Sequence, residues 1–139
     1  DMDDIIQISR ATPDLATMHA LRDKYEPVAY TMESGRGIPE NAKIKFNTTM
    51  KAVARSVKAF IADKDLAVDD LDVMGFVIDV YEKVSQSRTK IEEKRELLTT
   101  LKKSLQKLIA GLQVLTGHGS DVYRAENYMT QVETIERSI

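Results

Sequence analysis

The side chains that most often carry catalysis or metal binding are few in this sequence and stand far apart. The chain has two histidines, His19 and His118, and no cysteine. Neither histidine takes part in a His-x-x-x-His or Glu-x-x-His spacing, which would place metal ligands on one helix face. Without cysteine there are no disulfides, thiolate metal sites, iron–sulfur clusters or cysteine nucleophiles. We therefore expect no metal and no cofactor.

An acidic run at residues 63–72 invites a calcium-binding interpretation, because carboxylates are the ligands that calcium prefers. A helix–loop–helix calcium site that begins at Asp63 needs glycine at its sixth position and glutamate at its twelfth. Those positions hold Val68 and Met74. The run is therefore predicted to be a solvated loop that caps the helix after it.

Two glycine-containing segments could expose backbone N–H groups to an anion. Gly117-His118-Gly119-Ser120 lacks the lysine and the spacing of a phosphate-binding loop, and Gly35-Arg36-Gly37 is typical of a turn. No serine lies in a nucleophile-elbow context. We predict that both segments connect helices and that the protein is not an enzyme.

The charged residues are arranged in blocks that alternate in sign along the chain. Residues 41–62 carry five basic residues and no acid, and residues 63–82 carry a net charge of six negative. These blocks are either complementary surfaces of neighbouring helices or a basic face that binds an anionic partner. The candidate anion-binding residues are Lys51, Arg55 and Lys58, which share one helix face, and Lys102, Lys103 and Lys107.

A ladder of apolar residues runs through the second half of the chain with the alternating three- and four-residue spacing of helix packing. We call the following seven residues the leucine ladder: Ile91, Leu98, Leu101, Leu105, Leu108, Leu112 and Leu115. Hiding one leucine from water is worth about 1.5–3 kcal/mol, so the ladder must be buried against other helices. A ladder that the chain itself cannot cover would need a partner, most simply a second copy.

The remaining patterns predict the helices that surround this ladder. One helix starts at Thr12-Pro13-Asp14 and is kinked or ended by Pro27, and a second runs from Ile38 to about Asp63. Because neither proline nor glycine occurs in residues 77–110, we favour one continuous helix over residues 70–116, about 70 Å long. The alternative is a break within residues 85–90 that gives two antiparallel helices. Gly117 ends this region, and Ser120 caps the last helix.

These observations predict an all-α fold: an elongated antiparallel bundle of about four helices with one long central helix that carries a heptad seam. The length of 139 residues suits a single domain over 1–139, with residues 1–11 as a loose arm. No run approaches the roughly 20 apolar residues of a membrane-spanning helix. The compartment is left open with the cytoplasm favoured, and a fragment of a longer protein is an open alternative because the sequence starts with Asp1.

The favoured function is a non-enzymatic structural or protein–protein interaction module that acts through helix–helix association, with a protein partner or a second copy. The first alternative is binding of an anionic surface, nucleic acid or lipid headgroups, through the basic helix face. The net charge of −2 argues against a general nucleic-acid coat. The second alternative is the helical part of a pore-forming or membrane-remodelling protein. No small-molecule substrate is expected.

Overall fold

The computed structural model describes residues 2–62, 65–87, 91–115 and 117–138. These residues form a 3₁₀ helix at Val68–Val73 and six α-helices: α1 (Met2–Ser9), α2 (Leu15–Ser34), α3 (Glu40–Ile61), α4 (Met74–Ser87), α5 (Ile91–Gln113) and α6 (Gly119–Arg137). No strand occurs in the described ranges. The all-α class is confirmed, but the prediction of about four helices is wrong.

Internal contacts divide the chain into two compact units, Asp1–Phe60 and Ile61–Ile139. A single bundle over 1–139 was predicted. The boundary lies at the end of α3, close to the acidic run, so the change in local charge coincides with the change of unit.

In the first unit, residues expected to form a loose arm are helical. α1 packs against α2, and Ile5 is completely buried. Asp3 of α1 also forms an ion pair with Lys45 of α3, with 2.9 Å between Oδ1 and Nζ. Burial of one isoleucine favours docking by about 1.5–3 kcal/mol, which explains why so short a segment is ordered as a helix.

The helix α2 continues through Pro27, where a kink or an end was predicted. Proline inside a helix removes one backbone hydrogen bond and costs about 3 kcal/mol. Pro27 itself is exposed, whereas Tyr25 and Ala29 on either side are buried. The ring of Tyr25 stacks on Phe46 of α3, with centroids 6.0 Å apart and planes within 7°. This packing offsets the cost of the proline.

In the second unit, the predicted long helix is two helices, α4 and α5, and residues 88–90 between them lie outside the described residues. α4 contacts both α5 and α6, and Lys107 of α5 is ion-paired with Asp65. One helix that starts near residue 70 would carry Lys107 about 55 Å away from that start. The chain therefore reverses between α4 and α5, as in the alternative with two antiparallel helices.

The helices α5 and α6 are an antiparallel pair whose register is marked by the ion pair between Lys102 and Glu136, 3.1 Å from Nζ to Oε1. The same register brings Leu105 level with Val132 and Leu112 level with Ala125, and all four are buried. Of the leucine ladder, Leu98, Leu101, Leu105, Leu108 and Leu112 are buried, whereas Ile91 and Leu115 are about half exposed. The ladder is thus core in its middle, and a heptad seam along its full length is not shown.

The ends of the helices in this unit follow the predicted chemistry with shifted positions. Gly117 has a φ of +84°, which confirms the predicted left-handed conformation after α5. The last helix begins at Gly119 after His118, not after Ser120. Ahead of α4, buried Asp70 accepts a hydrogen bond from the Ala67 backbone N–H at 2.7 Å. The acidic run therefore does cap a helical segment, but the prediction of a solvated loop is wrong for residues 68–73, which form the 3₁₀ helix and include the buried Asp70.

Candidate functional site

The basic residues proposed for anion binding on α3 lie on the side of the helix away from its buried positions. Lys51 and Arg55 are exposed and one helical turn apart, and Lys58 is half-buried. Buried Val53 and Val57 occupy the opposite side. Lys51 and Arg55 have no ion pair among the described residues, so their charge is directed to solvent.

The second basic group, on α5, is largely neutralised within its own unit. Lys102 binds Glu136 and Lys107 binds Asp65, whereas Lys103 is exposed. Exposed pairs of this kind contribute about 0–1 kcal/mol each, so their effect is mainly to cancel charge. Two of the three lysines therefore already have carboxylate partners, as expected if the charge blocks are complementary surfaces of neighbouring helices.

The acidic run likewise uses its carboxylates in ion pairs and hydrogen bonds within the chain. Asp65 meets Lys107, Asp70 accepts the hydrogen bond from Ala67, and Asp72 accepts a hydrogen bond from Arg124 at 3.0 Å. That hydrogen bond raises the pKa of Arg124. Asp63 lies outside the described residues. Among the residues that are described, no three His, Asp or Glu side chains are grouped to hold a metal ion.

The two histidines belong to different units and to different local networks. The Nδ1 atom of His19 lies 3.1 Å from the guanidinium of Arg22, and that of His118 lies 3.1 Å from the Asp121 carboxylate. His118 and Asp121 flank the first turn of α6. No serine or threonine hydroxyl is hydrogen-bonded to either histidine in the described part of the chain.

The most exposed apolar side chains of the second unit belong to two residues just after the end of α5 and to one near the start of α6. Val114 is 81% exposed, Leu115 is 56% exposed and Tyr123 is 67% exposed. The register that pairs Lys102 with Glu136 sets the end of α5 beside the first turns of α6, so all three residues belong to the same end of the pair. We call Val114, Leu115 and Tyr123 the apolar tip.

Two residues of the apolar tip, Val114 and Leu115, lie in the longest uncharged stretch of the sequence, whereas Tyr123 lies beyond it, between Asp121 and Arg124. Residues 108–120 contain no Asp, Glu, Lys or Arg, although 30% of the chain is charged. The spacing of the leucine ladder includes Leu115 but does not single out Val114 or Tyr123, because neither residue continues that spacing. For Val114, the signal that could have identified it is this gap in the charge distribution next to a predicted turn; the charged neighbours of Tyr123 give no such signal.

Comparisons with models of protein families, with curated proteins and with solved structures find no match for this chain. Within the described residues, no helix combines the length and the apolar character needed to cross a bilayer.

Proposed function

We propose that this protein is a non-enzymatic protein–protein interaction module that associates through the apolar tip, and that its simplest partner is a second copy of the chain. The observation that carries the proposal is the exposure of three large apolar side chains, Val114 and Leu115 in an uncharged stretch and Tyr123 near the start of α6. Apolar side chains gathered on a surface are typical of interaction sites, whereas single ones are ordinary.

The lack of charged residues around Val114 and Leu115 favours a second copy as the occupant. In a two-fold symmetric contact, a residue near the axis faces its own counterpart, so any formal charge there meets a like charge. The tip offers apolar side chains and no charged residue between Leu108 and Ser120. The middle of the leucine ladder is already buried within the chain and so provides no such surface.

The size of the tip sets the strength of the association. Three side chains expose roughly 300 Å², well below the about 800 Å² per partner of a stable interface. We therefore expect a weak, reversible dimer with a dissociation constant above roughly 10 μM.

Sedimentation equilibrium over a wide concentration range tests this function. The double variant Val114→Gln, Leu115→Gln should remain monomeric where the parent chain dimerises. Glutamine keeps the tip uncharged, and both residues are exposed beyond the end of α5, so the fold is retained. The matched control is Ile44→Gln, which changes an equally exposed apolar residue, 59% exposed, in the other unit. A parent chain that stays monomeric, or equal dimerisation of the tip variant, would refute the proposal.

A second candidate function is favoured by the exposed α3 cations. Lys51 and Arg55 could bind a phosphate-rich surface, as on duplex DNA or an anionic vesicle, because no carboxylate of the described residues neutralises them. Such binding should weaken steeply with added salt. The variant Lys51→Glu, Arg55→Glu should abolish it. Lys24→Glu, Arg36→Glu is the control, since it makes the same charge change at exposed residues elsewhere in the first unit.

A further inference from the structure

A shallow depression on the second unit brings two arginines from different helices together. It is lined by Arg95 and Thr99 of α5 and by Glu136 and Arg137 of α6, with a volume of about 360 Å³ open to solvent. It lies at the opposite end of the α5–α6 pair from the apolar tip. Neither arginine contributes to the function proposed above.

The charges at this depression are not balanced. Arg95 and Arg137 are exposed, and neither has an ion-pair partner within the described ranges. Of the described residues that line it, Glu136 alone has a carboxylate, and this carboxylate is held by Lys102 at 3.1 Å. The two guanidinium groups are therefore available to a ligand, and the cluster with Lys102 carries a net charge of two positive.

The other groups at the depression contribute little to the recognition of a ligand. The Thr99 hydroxyl donates to the Arg95 backbone carbonyl at 2.7 Å, so its proton is already used. The start of α5 and the end of α6 meet here, and their opposite partial charges largely cancel. Recognition therefore depends on the arginine side chains.

We propose that this depression binds a phosphate monoester through Arg95 and Arg137. A phosphate monoester carries about two negative charges at neutral pH and three terminal oxygens, which matches two guanidinium forks and the net charge of the site. A carboxylate has one charge and two oxygens, so it can form a bidentate pair with only one of the two guanidinium groups. The opening to solvent leaves room for the organic part of the ester, whether a small soluble molecule or a lipid.

A nuclear magnetic resonance titration of the full chain with glycerol phosphate, at constant ionic strength, tests the site. Saturable shifts should be confined to residues 94–102 and 133–138. The variant Arg95→Ala, Arg137→Ala should weaken binding at least tenfold, and Arg95→Lys, Arg137→Lys should weaken it less because the charge remains. The control Arg10→Ala, Arg36→Ala removes two other exposed arginines and should leave the affinity unchanged. Absence of saturable shifts, or equal weakening in the control, would overturn the proposal.

Vesicles distinguish the two sources of the ligand. Phosphatidic acid presents a phosphate monoester, whereas phosphatidylglycerol presents a diester with one charge. Binding of glycerol phosphate without vesicle binding indicates a soluble ligand, and binding to phosphatidic acid that is lost in Arg95→Ala, Arg137→Ala indicates a lipid. Either result supports the site. Equal binding to both lipids would contradict it, because the interaction would then be a general attraction to negative charge.

Discussion

Asp70 illustrates how one side chain determines where a helix begins. It is 2% exposed, and its Oδ2 atom accepts the Ala67 N–H at 2.7 Å. Its neighbour Asp69 is exposed. A buried carboxylate in this role contributes more than an exposed one, because its removal leaves a backbone donor without a partner.

Asp70→Ala should lower the free energy of unfolding by at least about 1 kcal/mol. Asp69→Ala removes the same charge from the same segment and should change it by less than about 0.5 kcal/mol. Urea denaturation followed by circular dichroism measures both. Equal effects of the two substitutions would show that Asp70 does not act as the cap.

Tyr81 links stability to alkaline pH. The residue is 3% exposed, and burial raises the pKa of its phenol above the usual value of about 10. The folded state therefore favours the neutral phenol. This contribution to stability is complete below about pH 10 and is lost as the pH rises toward the folded pKa, because the unfolded chain releases its proton first.

Tyr81→Phe removes the proton that titrates and should reduce the fall in melting temperature between about pH 9 and pH 11. Tyr123→Phe is the control, because Tyr123 is 67% exposed. Thermal unfolding at both pH values measures the difference. The same alkaline loss in Tyr81→Phe as in the parent chain would contradict the burial of this phenol.

At the scale of the elements, the spacing of the leucine ladder predicted which residues are buried but not that the predicted long helix is two helices. Spacing identified Leu98 to Leu112 as core, and α5 and α6 pack in the register that buries them. The same spacing continues back through Val84 and Val77 of α4. Periodicity cannot detect a chain reversal when the apolar faces of two successive helices keep the same phase, and neither proline nor glycine marks the break.

Other elements were mispredicted because tertiary packing outweighed local signals. Pro27 predicts a break in the helix, yet α2 continues through it. Tyr25 of α2 stacks on Phe46 of α3, and local sequence signals cannot reveal a contact between two helices. Likewise, burial of Ile5 orders α1. Of the three α3 residues that the sequence placed on one helix face, Lys51 and Arg55 are exposed and Lys58 is half-buried. The sequence could not place Arg95 beside Arg137, because that proximity depends on the register of α5 and α6.

The ladder makes a quantitative prediction for this pair of helices. Leu105→Ala, at a fully buried position, should lower the free energy of unfolding by about 2–5 kcal/mol through lost burial and a residual cavity. Leu115→Ala lies on the same ladder but is 56% exposed, and it should cost less than about 1 kcal/mol. Chemical denaturation of both variants measures the contrast. Equal costs would mean that the ladder is either wholly buried or wholly exposed.

At the scale of the whole molecule, charged residues and exposed apolar residues have different roles. The net charge is −2, and the second unit uses its acids against its own cations, as in the Lys107–Asp65 and Arg124–Asp72 pairs. The uncharged stretch at residues 108–120 is the exception to this pattern. That stretch carries Val114 and Leu115 of the apolar tip, through which we propose that the molecule associates.

A single introduced cysteine tests this claim most directly, since the chain has no cysteine of its own. Leu115→Cys places a thiol at the tip, and a disulfide between two copies requires their Cα atoms to approach within about 7 Å. Under mild oxidation we expect rapid covalent dimerisation of Leu115→Cys, and little with Ala59→Cys, an exposed control position on α3. If the two variants cross-link equally slowly at every concentration, the tip does not bring two chains together and the proposed function is wrong.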